Sequence, residues 1–398
     1  MDQPRNTRRR SIWLAAIILT ALGGLGILTT VILSDLRITG RPAAFVRGPY
    51  LQNVTTAGAT IRWDTDRPFE AAVRLFDERG LRVRDLAVPA SGPRHEVRLD
   101  GLQPNTRYRY VIDPPGWSSE PAEGTFVTSP PPGTDCEFAI WGDSRSDPET
   151  CRAVADAIRR SGVPMCVHSG DFVYHGYNRD EWDSMFFQPA AALLRDVMLW
   201  PALGNHELGA DLNGVTGRQV FSDFFSLPGS GQYYSFDYGD AHILVLDSNY
   251  DFFEDPGQYE FADKNLAATR ARWKIVVFHH PVFTSGETHD NHFGMRLKYC
   301  PLFARHSVDL IFTGHDHNYQ RSRPIVHRHE PAQKHPYLHI VSGGGGAPKY
   351  EVQRARDLWF DKAEVVNHYA HLRVEGDKLT LQAIDLEGRV IDTCVLDR

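Results

Sequence analysis

Five short apolar runs in this sequence each stop at a residue able to hold a metal ion. Phe138-Ala139-Ile140-Trp141 leads through Gly142 to Asp143, and Met165-Cys166-Val167-His168 leads through Ser169-Gly170 to Asp171, with Tyr174 three residues on. Val197-Met198-Leu199-Trp200 precedes Gly204-Asn205-His206-Glu207, and Ile275-Val276-Val277-Phe278 precedes His279-His280-Pro281. Leu310-Ile311-Phe312 precedes Gly314-His315-Asp316-His317. Two aspartates, one asparagine, one tyrosine and three histidines make seven candidate ligands. If Asp171 bridges, they divide into two sets of four with positions left for water and substrate. Oxygen donors mixed with imidazole suit iron, manganese or zinc and not a soft copper site. A Gly-Asp pair alone is ordinarily just a turn; five such motifs, each closing an apolar run, are the signal. Glycines before Asp143, Asp171, Asn205 and His315 let the chain turn sharply beside an ion.

Near these ligands lie groups suited to a substrate. His206, beside Asn205, is a candidate general acid or oxyanion contact, because a leaving alkoxide needs a proton. Arg145, two residues after Asp143, offers a bidentate guanidinium for an oxyanion. Asp316 and Glu207 are better placed to orient ligands than to be them. Gly343 to Gly346 lacks the lysine and the spacing of a nucleotide loop and reads as a tight loop passing the metal edge.

The order GD, GDxxY, GNHE, HHP, GHDH resembles the purple acid phosphatase branch of the calcineurin-like metallophosphoesterases, over roughly Cys136 to Asn318. The resemblance implies one metal on Asp143, Asp171, Tyr174 and His317, and another on Asp171, Asn205, His279 and His315. In that branch a tyrosine three after the bridging aspartate binds ferric iron as phenolate, and the first histidine of HHP is the ligand. The implied cofactors are a ferric ion plus a divalent iron, zinc or manganese ion. The implied reaction is hydrolysis of phosphate monoesters by metal-bound hydroxide, with no phospho-enzyme intermediate. His289 would face the substrate as comparable loop histidines do in the family, with His292 nearby as its rival. A phosphodiesterase or nucleotide-directed phosphohydrolase of the same superfamily is the alternative, and a non-catalytic surface-binding protein a further one.

An edge lined by strand ends requires an α/β layered fold, since ligands of such sheets bind beyond the carboxyl ends of the strands. From residue 135 to 398 short apolar strands alternate with helical stretches such as Ala153 to Arg160 and Phe261 to Arg270, and the end reads as two or three strands. Residues 44–128 differ. Thr60-Ile61-Arg62-Trp63, Ala72 to Phe76 and Arg107 to Val111 alternate at period two, with turns at Arg79-Gly80 and Asp100-Gly101. Gly101 to Tyr108 resembles the signature of a fibronectin type III module, and the larger purple acid phosphatases carry a similar module ahead of the catalytic domain. Ser129-Pro130-Pro131-Pro132-Gly133 marks the boundary.

Residues 1–34 read as a cytoplasmic tip and a membrane anchor. Four arginines precede an uncharged apolar run from Ser11 to Leu33, 23 residues long, against the ~20 needed to cross a bilayer as a helix. The arginines should stay inside, leaving the catalytic part outside the cytoplasm. Thr7-Arg8-Arg9 offers a twin-arginine export signal as the rival reading.

The net charge of −7 gives no broad basic face for nucleic acid. Affinity for a small phosphate ester must therefore be local. Five scattered cysteines without a CxxC pair exclude a zinc ribbon; each reads as a small buried hydrophobe or as half of a disulfide. Oligomeric state is not legible.

Overall fold

The computed structural model describes residues 43–113, 121–249, 256–353 and 359–398. The expected membrane span at Ser11 to Leu33 lies outside them; among the described residues no helix is long and apolar enough to cross a membrane.

Seven strands come first: β1 (Phe45–Gln52), β2 (Ala59–Thr65), β3 (Ala71–Phe76), β4 (Arg82–Val88), β5 (Arg94–Leu99), β6 (Arg107–Asp113) and β7 (Ala122–Val127). They pair into antiparallel sheets ordered β1-β2-β5 and β4-β3-β6-β7. Alternation sets their faces: Ala71, Val73 and Leu75 of β3 are buried while the residues between them are half-exposed. Gly80 and Gly101 adopt left-handed φ at the turns where they were expected. Ahead of β6 the Gln103 amide donates to the Tyr108 hydroxyl at 3.0 Å, pinning the corner. The sheets dock on the following α/β part: Arg62 donates to the Phe224 carbonyl at 2.8 Å and Tyr110 to the Arg195 carbonyl at 2.9 Å.

The remaining strands are β8 (Cys136–Trp141), β9 (Met165–His168), β10 (Met198–Pro201), β11 (Tyr234–Tyr238), β12 (Ala241–Val245), β13 (Trp273–Val277), β14 (Leu310–Thr313), β15 (Tyr319–Ser322), β16 (Leu338–Ser342), β17 (Phe360–Glu364), β18 (His368–Glu375), β19 (Lys378–Asp385) and β20 (Val390–Asp397). One sheet runs β10-β9-β8-β18-β19-β20, the other β11-β12-β13-β14-β16-β15-β17. Strands β8, β9 and β10 are parallel, as are β12, β13, β14 and β16. All five motif-bearing runs are thus parallel strands, three in one sheet and two in the other.

Period two sorts their side chains. Phe138 and Ile140 of β8 share a core with Ile275 and Val277 of β13 and Leu310 and Phe312 of β14, so the two sheets face each other. Ala139 and Trp141 point the other way, into a cluster with Cys151, Val154, Ala155 and Ile158 of α1 (Pro148–Ser161). The second sheet's outer face carries Val276 and Ile311 against Tyr299, Leu302 and Phe303 of α5 (Phe293–Arg305). Between these helices in the chain lie α2 (Ala191–Asp196), α3 (Gly217–Phe224) and α4 (Pro256–Ala268). Helix α1 shows why a helix begins there: Asp147 accepts from the Glu149 and Thr150 amides, Pro148 opens the first turn, and left-handed Gly162 closes the last. The five cysteines are free, four of them buried, so here they act as small hydrophobes.

Candidate metal centre

Parallel strands put their carboxyl ends on one edge, and the motifs meet there. Asp143, Asp171 and His317 have ligand atoms within 4.8 Å of one another, and so do those of His279, His280 and His315. The Asn205 Oδ1 lies 3.0 Å from the His279 Nε2 and joins the second group. Asp171 ties the two groups together, its Oδ1 being 3.3 Å from the same nitrogen.

The backbone is bent to make this possible. Asp143, Asp171 and His315 all take left-handed φ, at 58°, 61° and 69°, a conformation that costs a non-glycine residue about 1 kcal/mol or more and gathers at functional sites. Gly204 supplies the close approach: a Cβ there would stand 2.2 Å from the Asp171 Oδ1. Glu207, fully buried, receives the Asp171, Phe172 and Gly204 amides at 2.8, 2.9 and 2.8 Å, clamping the β9 and β10 loops together. The Asp143 carboxylate accepts from the His315 amide at 3.0 Å, linking the two sheets. Gly343 belongs to the loop anticipated at the metal edge; its Cβ would approach an Asp143 oxygen at 2.8 Å.

The donor set fits cations. The His279 Nδ1 sits 3.0 Å from the Ser169 carbonyl and so carries the proton, leaving the Nε2 lone pair facing the Asn205 and Asp171 oxygens. Acceptors confront acceptors unless a positive charge lies between them. With a proton as that charge, the attraction of Asp171, Asp143 and Glu207 overcomes burial and lifts His279 to about 9. The His317 Nδ1 is held by the Pro348 carbonyl, so its Nε2 lone pair points inward, and burial drives it down to about 3. His315 is pushed far below the ordinary imidazole range by burial and by three neighbouring histidines. Burial raises Asp143 well above the carboxylate range; Asp171, equally buried but closer to His279, is held well below it. Neutral imidazoles at His315 and His317 and an ionised Asp171 in one buried cluster are what metal ligation needs.

The other expected residues line this edge. Tyr174 is half exposed at the rim, its ring 5.1 Å from that of His206 and 5.6 Å from the Arg145 guanidinium. The His206 Nδ1 donates to the Tyr174 carbonyl at 2.8 Å, turning Nε2 to within 3.8 Å of the Asp171 Oδ2. Arg145 is buried against the aspartate group. His289 stacks on His315 at 3.8 Å and is steered by Asp316 at 3.0 Å, whose other oxygen meets the Thr284 hydroxyl. His292 instead caps α5, accepting from the Met295 amide. Sequence reasoning set His280 behind His279 as a ligand and passed over Tyr350. The His280 ring lies 4.5 Å from that of His315, oriented by the Ser248 hydroxyl at 2.9 Å. Tyr350 stacks on His317 at 4.0 Å. Strand β12, followed after Leu246 by Asp247-Ser248-Asn249, was detectable by the same rule, an apolar run closed by polar donors.

Residues 138–319 match the family model described as calcineurin-like phosphoesterase. The chain is 30% identical over 269 residues to purple acid phosphatase 21 of Arabidopsis thaliana, covering 64% of this chain and 59% of that protein. To purple acid phosphatase 23 of the same plant it is 27% identical over 310 residues, 67% and 66% of the two chains. It thus spans about six tenths of the length of these relatives. The structure of a purple acid phosphatase from yellow lupin seeds superposes with a TM-score of 0.75 at 20% identity, covering 88% of this chain and 75% of the other, which shows a shared fold.

Proposed function

Since this chain carries a calcineurin-like phosphoesterase domain related to those of purple acid phosphatases, we propose that it hydrolyses phosphate monoesters at a binuclear metal centre. The observation that carries this reading is the convergence of the His279 Nε2, the Asn205 Oδ1 and the Asp171 Oδ1 in a buried site. Asp143, Asp171, Tyr174 and His317 would hold one ion and Asp171, Asn205, His279 and His315 the other, the pair being ferric iron with divalent iron, zinc or manganese. When bound, such a pair supplies a nucleophile near neutral pH and neutralises charge growing on the phosphoryl oxygens.

The chain's own groups do the rest. Glu207 holds the two loops at fixed separation, so the ester is positioned by a rigid edge. His206 keeps Nδ1 on the Tyr174 carbonyl and presents Nε2 to the leaving oxygen, which takes the proton as the P–O bond breaks. Its pKa is lowered by burial against the pull of Asp171, which favours proton release to the alkoxide. Arg145 and His289 donate to phosphoryl oxygens. In this reading residues 135–398 are the catalytic domain, 44–128 a supporting sandwich, and the body lies outside the cytoplasm behind the N-terminal apolar run.

The test compares p-nitrophenyl phosphate with its bis-ester on purified protein of measured metal content. Two ions per chain and a preference for the monoester are expected; preference for the bis-ester moves the assignment to diester chemistry. Asn205→Ala and His279→Ala should each abolish turnover without unfolding the domain, and full activity in either refutes the ligand map.

A further inference from the structure

One helix, α3, joins the sandwich to the metal edge. At its carboxyl end the Phe224 carbonyl accepts from three buried side chains of the sandwich: the Tyr50 hydroxyl at 3.0 Å, the Gln52 Nε2 at 3.1 Å and the Arg62 Nη1 at 2.8 Å. The Arg62 Nη2 donates to the Asp223 carbonyl at 2.9 Å, and the Gln52 Oε1 accepts from the Ser226 amide at 2.6 Å. Arg47 lays its guanidinium 4.2 Å from the centre of the Phe224 ring while pairing with Asp183 at 2.7 and 2.8 Å. Arg62 is only 6% exposed. A buried guanidinium thus stands where the unpaired carbonyls of the helix concentrate negative charge.

The amino end of α3 rests on the metal edge. The Gly217 amide donates to the Gly209 carbonyl at 3.0 Å, and a Cβ on Gly217 would stand 2.2 Å from the Glu207 carbonyl oxygen. Glu207 is the residue whose carboxylate clamps the Asp171 and Gly204 amides. A second route runs through the side of the helix. Phe221 lies 6.4 Å from the ring of Phe172, which follows Asp171 in the chain, and Trp182 sits between Phe172 and Phe224 at 5.4 Å from each. Close-packed rings, and a glycine contact with no room for a methyl group, transmit a shift instead of absorbing it.

We propose that the sandwich is a working part of the catalytic centre: through α3 it sets the position of the Asp171 and Glu207 loops, and Arg62 is a positioning residue for hydrolysis. The inference rests on the hydrolase reading above and gives residues 44–128 a part in turnover. Other polar contacts of the same interface, from Tyr110 to the Arg195 carbonyl and from the Thr125 amide to Asp196, end on α2 and supply a comparison.

The experiment compares the full chain carrying Arg62→Ala with the unaltered chain, well below the melting temperature of either. Turnover of p-nitrophenyl phosphate should show kcat lowered at least about tenfold with KM within about threefold, because shifted loops misplace the reacting groups. Deuterium exchange in chelator reads the loops without any turnover. It should speed at least about tenfold in peptides covering 169–174 and 203–209, which hold the Glu207-bound amides, and stay unchanged in β13. Arg62→Lys, which restores a charge and a donor for Phe224, should recover most of both losses. Tyr110→Phe should lower the melting temperature without moving kcat or exchange in those peptides. If Arg62→Ala does not fold, Tyr50→Phe combined with Gln52→Ala removes the other two donors and should shift both readouts the same way, by at least about threefold. Unaltered exchange, or unaltered kcat in an active parent, overturns the proposal. An equal loss in Tyr110→Phe also overturns it, since interface stability alone would then govern the site. If the unaltered chain turns over no phosphate ester, the hydrolase reading falls, while the exchange comparison still decides the role of α3.

Discussion

Glu207 offers the sharpest test of how the site is held together. Its carboxylate accepts three buried backbone N–H groups, from Asp171, Phe172 and Gly204, and it has no exposed surface. Truncation in Glu207→Ala strands all three. A buried unsatisfied donor costs about 1–3 kcal/mol; water entering the vacated space argues for the lower figure each, hence about 3 kcal/mol in all. Glu207→Gln keeps one acceptor, enough for the Asp171 and Gly204 amides that share Oε2, and turns an NH2 on the Phe172 amide, so about 1–2 kcal/mol is expected. Because Asp171 is one of the stranded groups and Asn205 follows another, metal content should fall with stability. Chemical denaturation in chelator, paired with metal analysis after reloading, reads both quantities. A Glu207→Ala protein as stable as the parent, with two ions bound, would refute the clamp.

Three further outcomes follow from the same geometry. Gly204→Ala sets a Cβ at 2.2 Å from the Asp171 Oδ1, so Asp171 must shift; kcat/KM should drop by about tenfold or more, and an unaltered value rejects the close approach. His339 and His368 are not among the proposed ligands and are held neutral by burial, at about 3 and about 4. The unfolded chain takes up protons below about pH 6.5 that the folded chain refuses, so stability is lost as pH falls from there toward 4. Each histidine accounts for about 2 kcal/mol at pH 5, and His368→Gln or His339→Gln should flatten that limb of the melting-versus-pH curve. Iron-loaded protein should absorb in the visible through phenolate-to-iron charge transfer, and Tyr174→Phe should bleach it; a colourless iron-replete parent removes Tyr174 from the ligand set.

Much of this was readable in one dimension. A strand buried on both faces is an apolar run, and the glycine and donor that end it are its immediate neighbours. Asp143, Asp171, Asn205, His279, His315 and His317 were therefore visible as strand-end residues, and all six come together at one edge. The loop at Gly343, the cysteines as buried hydrophobes and the alternating strands of the first part were local patterns too. What needed the tertiary structure depends on pairing between segments far apart in sequence. Which of His289 and His292 faces the site is decided by α5, whose N-terminus captures His292. That His280 joins the imidazole cluster depends on Ser248 just past the end of β12. The role of Glu207 exists only because β9 and β10 lie side by side, and the seat of Arg145 only because His317 arrives from the opposite sheet. Residue type and spacing name the donors; the direction in which each lone pair points is set by contacts between strands that the chain visits far apart.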